Sequence, residues 1–233
     1  MGSLAGSMMD RIEDLEIHPT GDKSPTLYSS RFSEIYHSRH GAFTESMHVF
    51  IRHGLEEKIR EKPGMIRVGE MGLGTCLNAA LAFQYAETKN ADLQYHAIEA
   101  FPPDLELLQR YSSLLPPEIS NFHQQVVNLT AGLPHILSSQ FSIHWEKSRW
   151  PVQGVFKELD VFFYDAFSPD KQPELWMVDA FRTAYDSMSV GGILVTYCSK
   201  GYVRRNLQEA GFQVERLPGP PGKREMLRAR RLV

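Results

Sequence analysis

Short apolar segments alternate along this chain with longer amphipathic stretches, and this alternation limits the fold more than any other feature. Several of the short segments, such as LDVFFYD, are apolar on both faces, as strands of a covered parallel sheet are. The predicted strands are 65–70, 94–99, 141–145, 159–165, 192–197 and 213–217, and the predicted helices lie near 75–88, 103–113, 174–189 and 201–210. The pattern therefore predicts an α/β fold, with crossover helices around a mostly parallel, twisted sheet.

The two ends of the chain depart from this alternation. Residues 1–9 read as an expression scar or a disordered start, and we exclude them from the predicted fold. Residues 10–60 are rich in aromatic residues and histidines and include a predicted helix at 46–61, so we expect a cap across the top of the sheet. Residues 61–233 then form the main part of a single domain. At its end, 224–230 follow the turn PGPPGK and predict a short antiparallel edge strand.

Composition excludes several classes of protein. The 233 residues, 42% hydrophobic and 23% charged, are enough for one sizeable buried core. No run approaches the ~18 apolar residues of a membrane span, so no membrane partner is expected. Cys76 and Cys198 cannot build a disulfide framework, which favours a reducing, cytoplasmic setting. The nine histidines show no ligand spacing and no Gly-x-Ser-x-Gly motif is present, so neither a metal site nor a serine hydrolase is predicted.

Charge is distributed unevenly along the chain. A net charge of −3 argues against a protein that coats nucleic acid by bulk charge. The 34 residues from Lys200 onward nevertheless carry +6, while residues 1–199 carry −9. This asymmetry predicts a local contact between the carboxyl-terminal region and a polyanion. The candidate phosphate contacts are Lys200, Arg204, Arg205, Lys223 and Arg224.

The clearest local motif is GEMGLGTCLN, which directly follows the predicted strand at 65–70 and opens a helix. Gly72 and Gly74 allow a tight turn and a close approach of the backbone to a ligand. No Gly-Lys-Ser/Thr follows, so the turn is not a phosphate-binding P-loop. The dinucleotide fingerprint is also incomplete, because Leu77 stands where its third glycine would be. The motif indicates either a ligand loop or a plain strand-to-helix turn.

Two carboxylates end neighbouring apolar segments. Glu99 closes the strand after the glycine turn, where a carboxylate can accept the hydroxyl groups of a ribose, and Asp165 ends the run VFFY. Acids beside a glycine turn suit a neutral or cationic nucleoside better than a pyrophosphate, and S-adenosylmethionine carries the required sulfonium and ammonium groups. The alternative interpretations are a solvated strand end for Glu99 and a helix cap or structural acceptor for Asp165.

Several motifs together resemble a known family. GEMGLGTCLN, AIEA, YDAFSPDKQPELW, VGGILVTYCSKGYVRRNLQEAGF and PGPPGKREML are similar to the tRNA 5-(methylaminomethyl)-2-thiouridine methyltransferases, which comprise the MnmD proteins and the methyltransferase half of MnmC. The resemblance covers roughly residues 28–227. It implies a Rossmann-like, S-adenosyl-L-methionine-dependent enzyme that methylates the aminomethyl nitrogen of the wobble uridine in tRNA. The implied partners are the anticodon stem-loop of tRNA and a separate enzyme that supplies the aminomethyl uridine.

The resemblance also implies roles for individual residues. Asp165 and Phe167 would face the methyl donor and the target amine, and aromatic side chains such as Phe167, Tyr36 or Trp176 would stack on a flipped base. Because an unperturbed carboxylate, with a pKa of ~3.9, is a poor base, we expect Asp165 mainly to orient the amine. The implied cofactor-binding residues are Glu70, Gly72, Gly74, Thr75, Asn78, Glu99, Glu146 and Asp165.

The chain departs from the family pattern at three positions. Cys76 stands where glycine is usual, so the turn is bulkier. Glu146 lies where the family often has Gly-Asp to touch the adenine, and Ala166 replaces a more frequent glycine. Two other functions therefore stay open at this point. One is a methyltransferase or aminopropyltransferase that acts on a small free amine, and the other is a non-catalytic RNA-binding module with a degenerate pocket.

Overall fold

The computed structural model describes residues 15–233, so the predicted start at residues 1–9 lies outside the described residues. An eight-stranded sheet runs in the order β10-β11-β9-β8-β4-β5-β7-β6. Its strands are β4 (Ile66–Met71), β5 (Leu93–Glu99), β6 (Pro134–Ile136), β7 (Phe141–Lys147), β8 (Leu159–Tyr164), β9 (Met188–Thr196), β10 (Gln213–Pro218) and β11 (Glu225–Arg230). The five strands from β9 to β7 pair in parallel, and the outer strands β6, β10 and β11 pair antiparallel. The predicted, mostly parallel sheet is confirmed.

Burial explains why the central strands were recognisable. Every residue of β8 is buried, because helices cover both faces of the sheet at its centre. The carboxyl-terminal strand β11 is antiparallel, as expected, but it is not the edge strand. It lies between β9 and β10, since the turn after β10 folds the chain back into the sheet, and β10 forms the edge.

Helices fill the crossovers between the strands. They are α3 (Leu77–Lys89), α4 (Leu105–Ser113), α5 (Pro117–Val127), α6 (Val178–Ser187) and α7 (Gly201–Glu209), with a 3₁₀ turn at Pro173–Trp176. The sequence reading missed α5, which starts at a proline and packs against α3. Among residues 15–233 no helix combines the length and the apolar character that crossing a membrane requires.

The amino-terminal segment divides into two parts with different positions. Its first part is a three-stranded antiparallel sheet, β1 (Leu15–Pro19), β2 (Pro25–Ser29) and β3 (Glu34–Ile35), which the sequence did not predict. Its second part is one continuous helix, formed by α1 (Ala42–Ser46), a π-helical stretch (Met47–Glu56) and α2 (Glu57–Glu61).

Only the first part of this segment, the small sheet and the loop after it, therefore lies where the cap was expected. The helix packs on the face of the sheet, where the rings of Phe50 and Phe163 lie 5.3 Å apart. A Cβ added at Gly54 would come within 2.9 Å of Val195, so glycine is what allows the helix to approach the sheet this closely. The small sheet and the loop after it supply residues at the carboxyl ends of the central strands.

Candidate active site

A cavity of about 1430 Å³ opens at the carboxyl ends of β4, β5 and β8, where parallel α/β sheets bind their ligands. Its lining combines the glycine turn after β4, the end of β5, the segment after β8 and the tip between β2 and β3. Six of the residues predicted to bind cofactor or substrate line it together: Gly72, Gly74, Thr75, Asn78, Glu99 and Asp165. Phe167 and Tyr36 line it as well.

The glycine turn is held tightly against the neighbouring strands. Gly72 (φ +91°) and Gly74 (φ +49°) both adopt conformations that favour glycine. A Cβ at Gly72 would lie 2.3 Å from the backbone oxygen of Asp165, so no side chain fits there. Cys76 also has a left-handed conformation, with φ +64°, and its buried side chain packs in the core. Glycine adopts this conformation without strain, so the position favours a glycine.

Glu99 ties the end of β5 to the glycine turn. One carboxylate oxygen accepts the backbone N–H of Gly74 at 2.9 Å, and the other accepts that of Phe101 at 2.8 Å. Both bonds fix the direction of the side chain, which lines the cavity. Its role with a ribose stays a prediction.

A buried polar chain runs beneath the cavity floor. The Asn78 amide nitrogen donates to both Glu70, at 3.0 Å, and Asp165, at 2.9 Å, while the Tyr95 hydroxyl donates to the other oxygen of Glu70. Glu70 is fully buried and, unlike Asn78 and Asp165, does not line the cavity. Burial raises the pKa of Glu70 well above its usual range. The structure thus places Glu70 where it can orient Asn78 rather than touch a ligand.

The pKa of the Asp165 carboxyl group is raised far above its usual value. Burial raises its pKa from 3.8 to about 8, and the nearby negative charges of Glu45 and Glu99 act in the same direction. The hydrogen bond from Asn78 and the charge of Lys223 oppose this rise. A carboxyl group in this state exchanges its proton near neutral pH, and a cation placed beside it favours its charged form.

The segment after Asp165 is fixed by contacts from several directions. The backbone N–H of Phe167 donates to Gln172 at 3.1 Å, and the indole N–H of Trp176 donates to the Phe167 carbonyl at 2.9 Å. Glu34, at the start of β3, accepts both the backbone N–H and the hydroxyl of Ser168, at 3.0 and 2.9 Å. The amino-terminal sheet therefore holds the segment after Asp165 in place through Glu34, a residue that sequence reasoning missed.

Aromatic side chains surround the mouth of the cavity. The ring of Phe32, from the tip between β2 and β3, stacks on Phe167 at 4.3 Å, and Tyr36 meets Phe167 edge-on at 4.9 Å. The suggestion that Trp176 could stack on a base is wrong, because its side chain is fully buried beneath this segment. Phe32 takes its place among the rings that line the cavity, since the hairpin brings it there.

Two sets of predicted residues lie outside the cavity lining. Glu146, near the end of β7, is half exposed and lies 3.7 Å from His144, and Ser148 and Arg149 line the cavity instead. None of the five predicted phosphate contacts lines the cavity either. Lys200 pairs with Asp170 at 2.7 Å, and Lys223 pairs with Glu45 at 2.5 Å.

Much of the positive charge of the carboxyl-terminal region is matched inside the protein. Arg228 and Arg230 form ion pairs with Glu57, Glu61 and Glu215. The buried Nε of Arg204 has no hydrogen-bond partner among the described residues, whereas Arg205 and Arg224 are exposed. Part of the +6 of this region is thus paired, because carboxylates from distant parts of the chain form ion pairs with Lys200, Lys223, Arg228 and Arg230.

The donor set of the cavity fits S-adenosyl-L-methionine. Asp165 and Glu99 give the lining two carboxylates beside the glycine turn, which suits a ligand that carries both a sulfonium and an ammonium group. The buried side-chain oxygen of Asn78 has no hydrogen-bond partner among residues 15–233, so it can accept a hydrogen bond from a ligand. Asp165, Glu99 and the turn at Gly72 and Gly74 are the residues that would hold the cofactor.

Comparison with known proteins supports the same assignment. A family model described as S-adenosyl-L-methionine-dependent methyltransferase matches residues 135–231. The tRNA 5-methylaminomethyl-2-thiouridine biosynthesis bifunctional protein MnmC of Ectopseudomonas mendocina is 32% identical over 85% of this chain, and that of Pseudomonas savastanoi pv. phaseolicola is 30% identical over 89%. The chain spans about a third of the length of these curated relatives, 32% and 33% respectively.

Solved structures agree with the fold. MNMC2 from Aquifex Aeolicus has a TM-score of 0.77 at 26% identity, with 95% of this chain and 72% of that chain covered. Spermidine synthase from Thermotoga Maritima has a TM-score of 0.57 at 11% identity, with 95% and 70% covered, which shows a shared fold alone. On these similarities and the geometry of the cavity, the chain has the fold of an S-adenosyl-L-methionine-dependent methyltransferase and is similar in sequence to about a third of the length of the MnmC proteins.

Proposed function

We propose that the chain methylates the aminomethyl nitrogen of 5-aminomethyl(-2-thio)uridine at the wobble position of tRNA, and so forms 5-methylaminomethyl(-2-thio)uridine. The observation that carries this proposal is Asp165, a carboxyl group of raised pKa at the floor of a cavity whose mouth is lined by Phe32, Tyr36 and Phe167. The similarity to MnmC proteins, which are named for 5-methylaminomethyl-2-thiouridine biosynthesis in tRNA, supports the same substrate. The proposal includes a cytoplasmic location and a separate enzyme that supplies the aminomethyl group.

Such a reaction needs a methyl donor and a group that accepts the proton of the amine. The bound cofactor would supply an electrophilic methyl group. Only a neutral amine is nucleophilic, and an alkylamine is mostly protonated at neutral pH, so a proton has to leave. The raised pKa of Asp165 makes it a better base than an ordinary carboxylate, and this gives proton acceptance more weight than the sequence-based expectation that Asp165 mainly orients the amine. Asn78 donates to one of its oxygens, which leaves the other free to accept that proton.

A direct assay tests the function. Methyl transfer from labelled S-adenosyl-L-methionine to tRNA from a strain that lacks this modification should place the label in a 5-methylaminomethyl nucleoside, identified after digestion. The same assay with a free polyamine in place of tRNA is the control. Label in the polyamine and none in tRNA would contradict the proposal, and so would failure to bind the cofactor, which would favour a non-catalytic module.

Cofactor affinity should rise with pH. Between about pH 4 and 8 the cofactor-free folded protein holds a proton on Asp165 that the unfolded chain has lost, so the contribution of Asp165 to stability falls as pH rises. A sulfonium favours the carboxylate, so its binding releases this proton and becomes easier as pH approaches about 8. We expect the affinity measured by calorimetry to rise about threefold to tenfold between about pH 6.5 and 8.

Two controls isolate Asp165 in that pH dependence. S-adenosylhomocysteine has the same amino and carboxylate groups but no sulfonium charge, so its affinity should change less over the same range. In the Asp165→Asn variant, the two ligands should show the same pH dependence. An unchanged difference between the two ligands in that variant would assign the titration to another group.

A further inference from the structure

Two arginines meet on one aromatic ring at the mouth of the cavity. The guanidinium carbon of Arg31, from the tip between β2 and β3, lies 4.0 Å from the centroid of Phe101. That of Arg149, from the segment after β7, lies 5.2 Å from the same centroid. All three residues line the cavity. Segments that are far apart in the sequence thus bring two positive charges to one place.

The charges of Arg31 and Arg149 are not paired with a carboxylate in the described part of the chain. Among residues 15–233, no carboxylate forms an ion pair with Arg31 or Arg149, whereas Lys200, Lys223 and Arg230 all have such partners. Two like charges on the same ring repel each other, and Phe101 offsets only part of the cost of bringing them together. An anion bound at this end of the cavity would weaken this repulsion and can accept hydrogen bonds from guanidinium groups.

We propose that Arg31 and Arg149 form a phosphate clamp that holds the RNA backbone beside the target nucleoside. The inference rests on the proposed function and deepens it, because a wobble uridine that reaches Asp165 must bring its flanking phosphates to the mouth of the same cavity. The clamp differs from the predicted contacts near the carboxyl terminus, of which Lys200 and Lys223 are ion-paired.

Alanine variants of the two arginines test the clamp. Binding of unmodified tRNA is measured over a series of salt concentrations for Arg31→Ala, Arg149→Ala and the double variant. In single-stranded RNA each lost phosphate contact should lower the slope of log affinity against log salt by about 0.7, so the double variant should lose about 1.4. Its affinity at low salt should fall about tenfold or more, while the affinity for S-adenosyl-L-methionine should stay within about twofold of the wild type.

Matched variants separate charge from packing. The Arg31→Lys and Arg149→Lys variants keep the charge and should retain most of the slope. Arg182→Ala removes an exposed arginine that pairs with Asp179 on α6 and should leave the slope unchanged. A wild-type slope in the double variant would overturn the clamp, and so would a parallel loss of cofactor affinity, which would assign the arginines to the cofactor. If the double variant loses the expected part of the salt dependence of tRNA binding but the wild type transfers no methyl group to tRNA, the proposed function fails and the clamp stands.

Discussion

The Asp165→Asn variant is expected to turn over about 10²- to 10⁴-fold more slowly than the wild type, with cofactor affinity at neutral pH within about tenfold. An asparagine can still accept the hydrogen bond from Asn78, so the floor of the cavity keeps its geometry. It cannot take a proton from the amine, and it offers no negative charge. Single-turnover methyl transfer to tRNA, with calorimetry of S-adenosyl-L-methionine binding, measures both quantities.

An exposed acid gives the matched control for this variant. Asp179, on α6, is 91% exposed and does not line the cavity, so Asp179→Asn should leave turnover within about twofold of the wild type. Near-normal turnover in Asp165→Asn would mean that the proton leaves by another route. A loss of cofactor binding as large as the loss of turnover would make Asp165 a binding residue rather than a catalytic one.

Gly72→Ala is expected to lower cofactor affinity about 100-fold or more and to reduce the free energy of unfolding by at least about 2 kcal/mol. The new Cβ would lie 2.3 Å from the Asp165 carbonyl oxygen, and neither backbone can move alone, because the N–H of Gly72 bonds to Ile98 and that of Asp165 to Met71. The φ of +91° adds strain of about 1–3 kcal/mol for any other residue. Calorimetry and urea unfolding measure the two effects.

Gly64 provides a control with a similar φ. Its φ is +84°, but a Cβ added there would meet nothing within 4 Å. Gly64→Ala should therefore carry the conformational strain without the collision, and its cofactor affinity should match that of the wild type. Equal losses of affinity in the two variants would show that strain alone, rather than contact with the Asp165 segment, disrupts the turn.

The parts of the site that were predictable are encoded in contiguous residues. The turn at Gly72 and Gly74 follows a strand and opens a helix, and Glu99 and Asp165 each end an apolar segment. Parallel strands bring their carboxyl ends to the same edge of the sheet, so the convergence of these residues followed from the fold class. Glu70 is buried and does not line the cavity, a placement that the strand period does not reveal, and its role with a cofactor stays a prediction.

The parts that were missed depend on residues far apart in the sequence. Glu34 lies 134 positions from Ser168, and nothing near either residue signals that the hairpin holds the segment after Asp165. Lys223 similarly lies 178 positions from Glu45, so the positive charge near the carboxyl terminus could not be recognised as already paired. Local patterns contain no information about such partners.

From the order of its residues alone, this chain could be assigned an α/β methyltransferase fold, a glycine turn for the cofactor and two acids at the strand ends. Tertiary packing decided the chemistry of those acids and the charge of the entrance. Burial, rather than residue type, raises the pKa of Asp165 to about 8. The fold also places Arg31 and Arg149 at the ring of Phe101, where neither forms an ion pair with a carboxylate of the described residues. Desolvation and charge pairing depend on distances in space, and only the folded chain sets those distances.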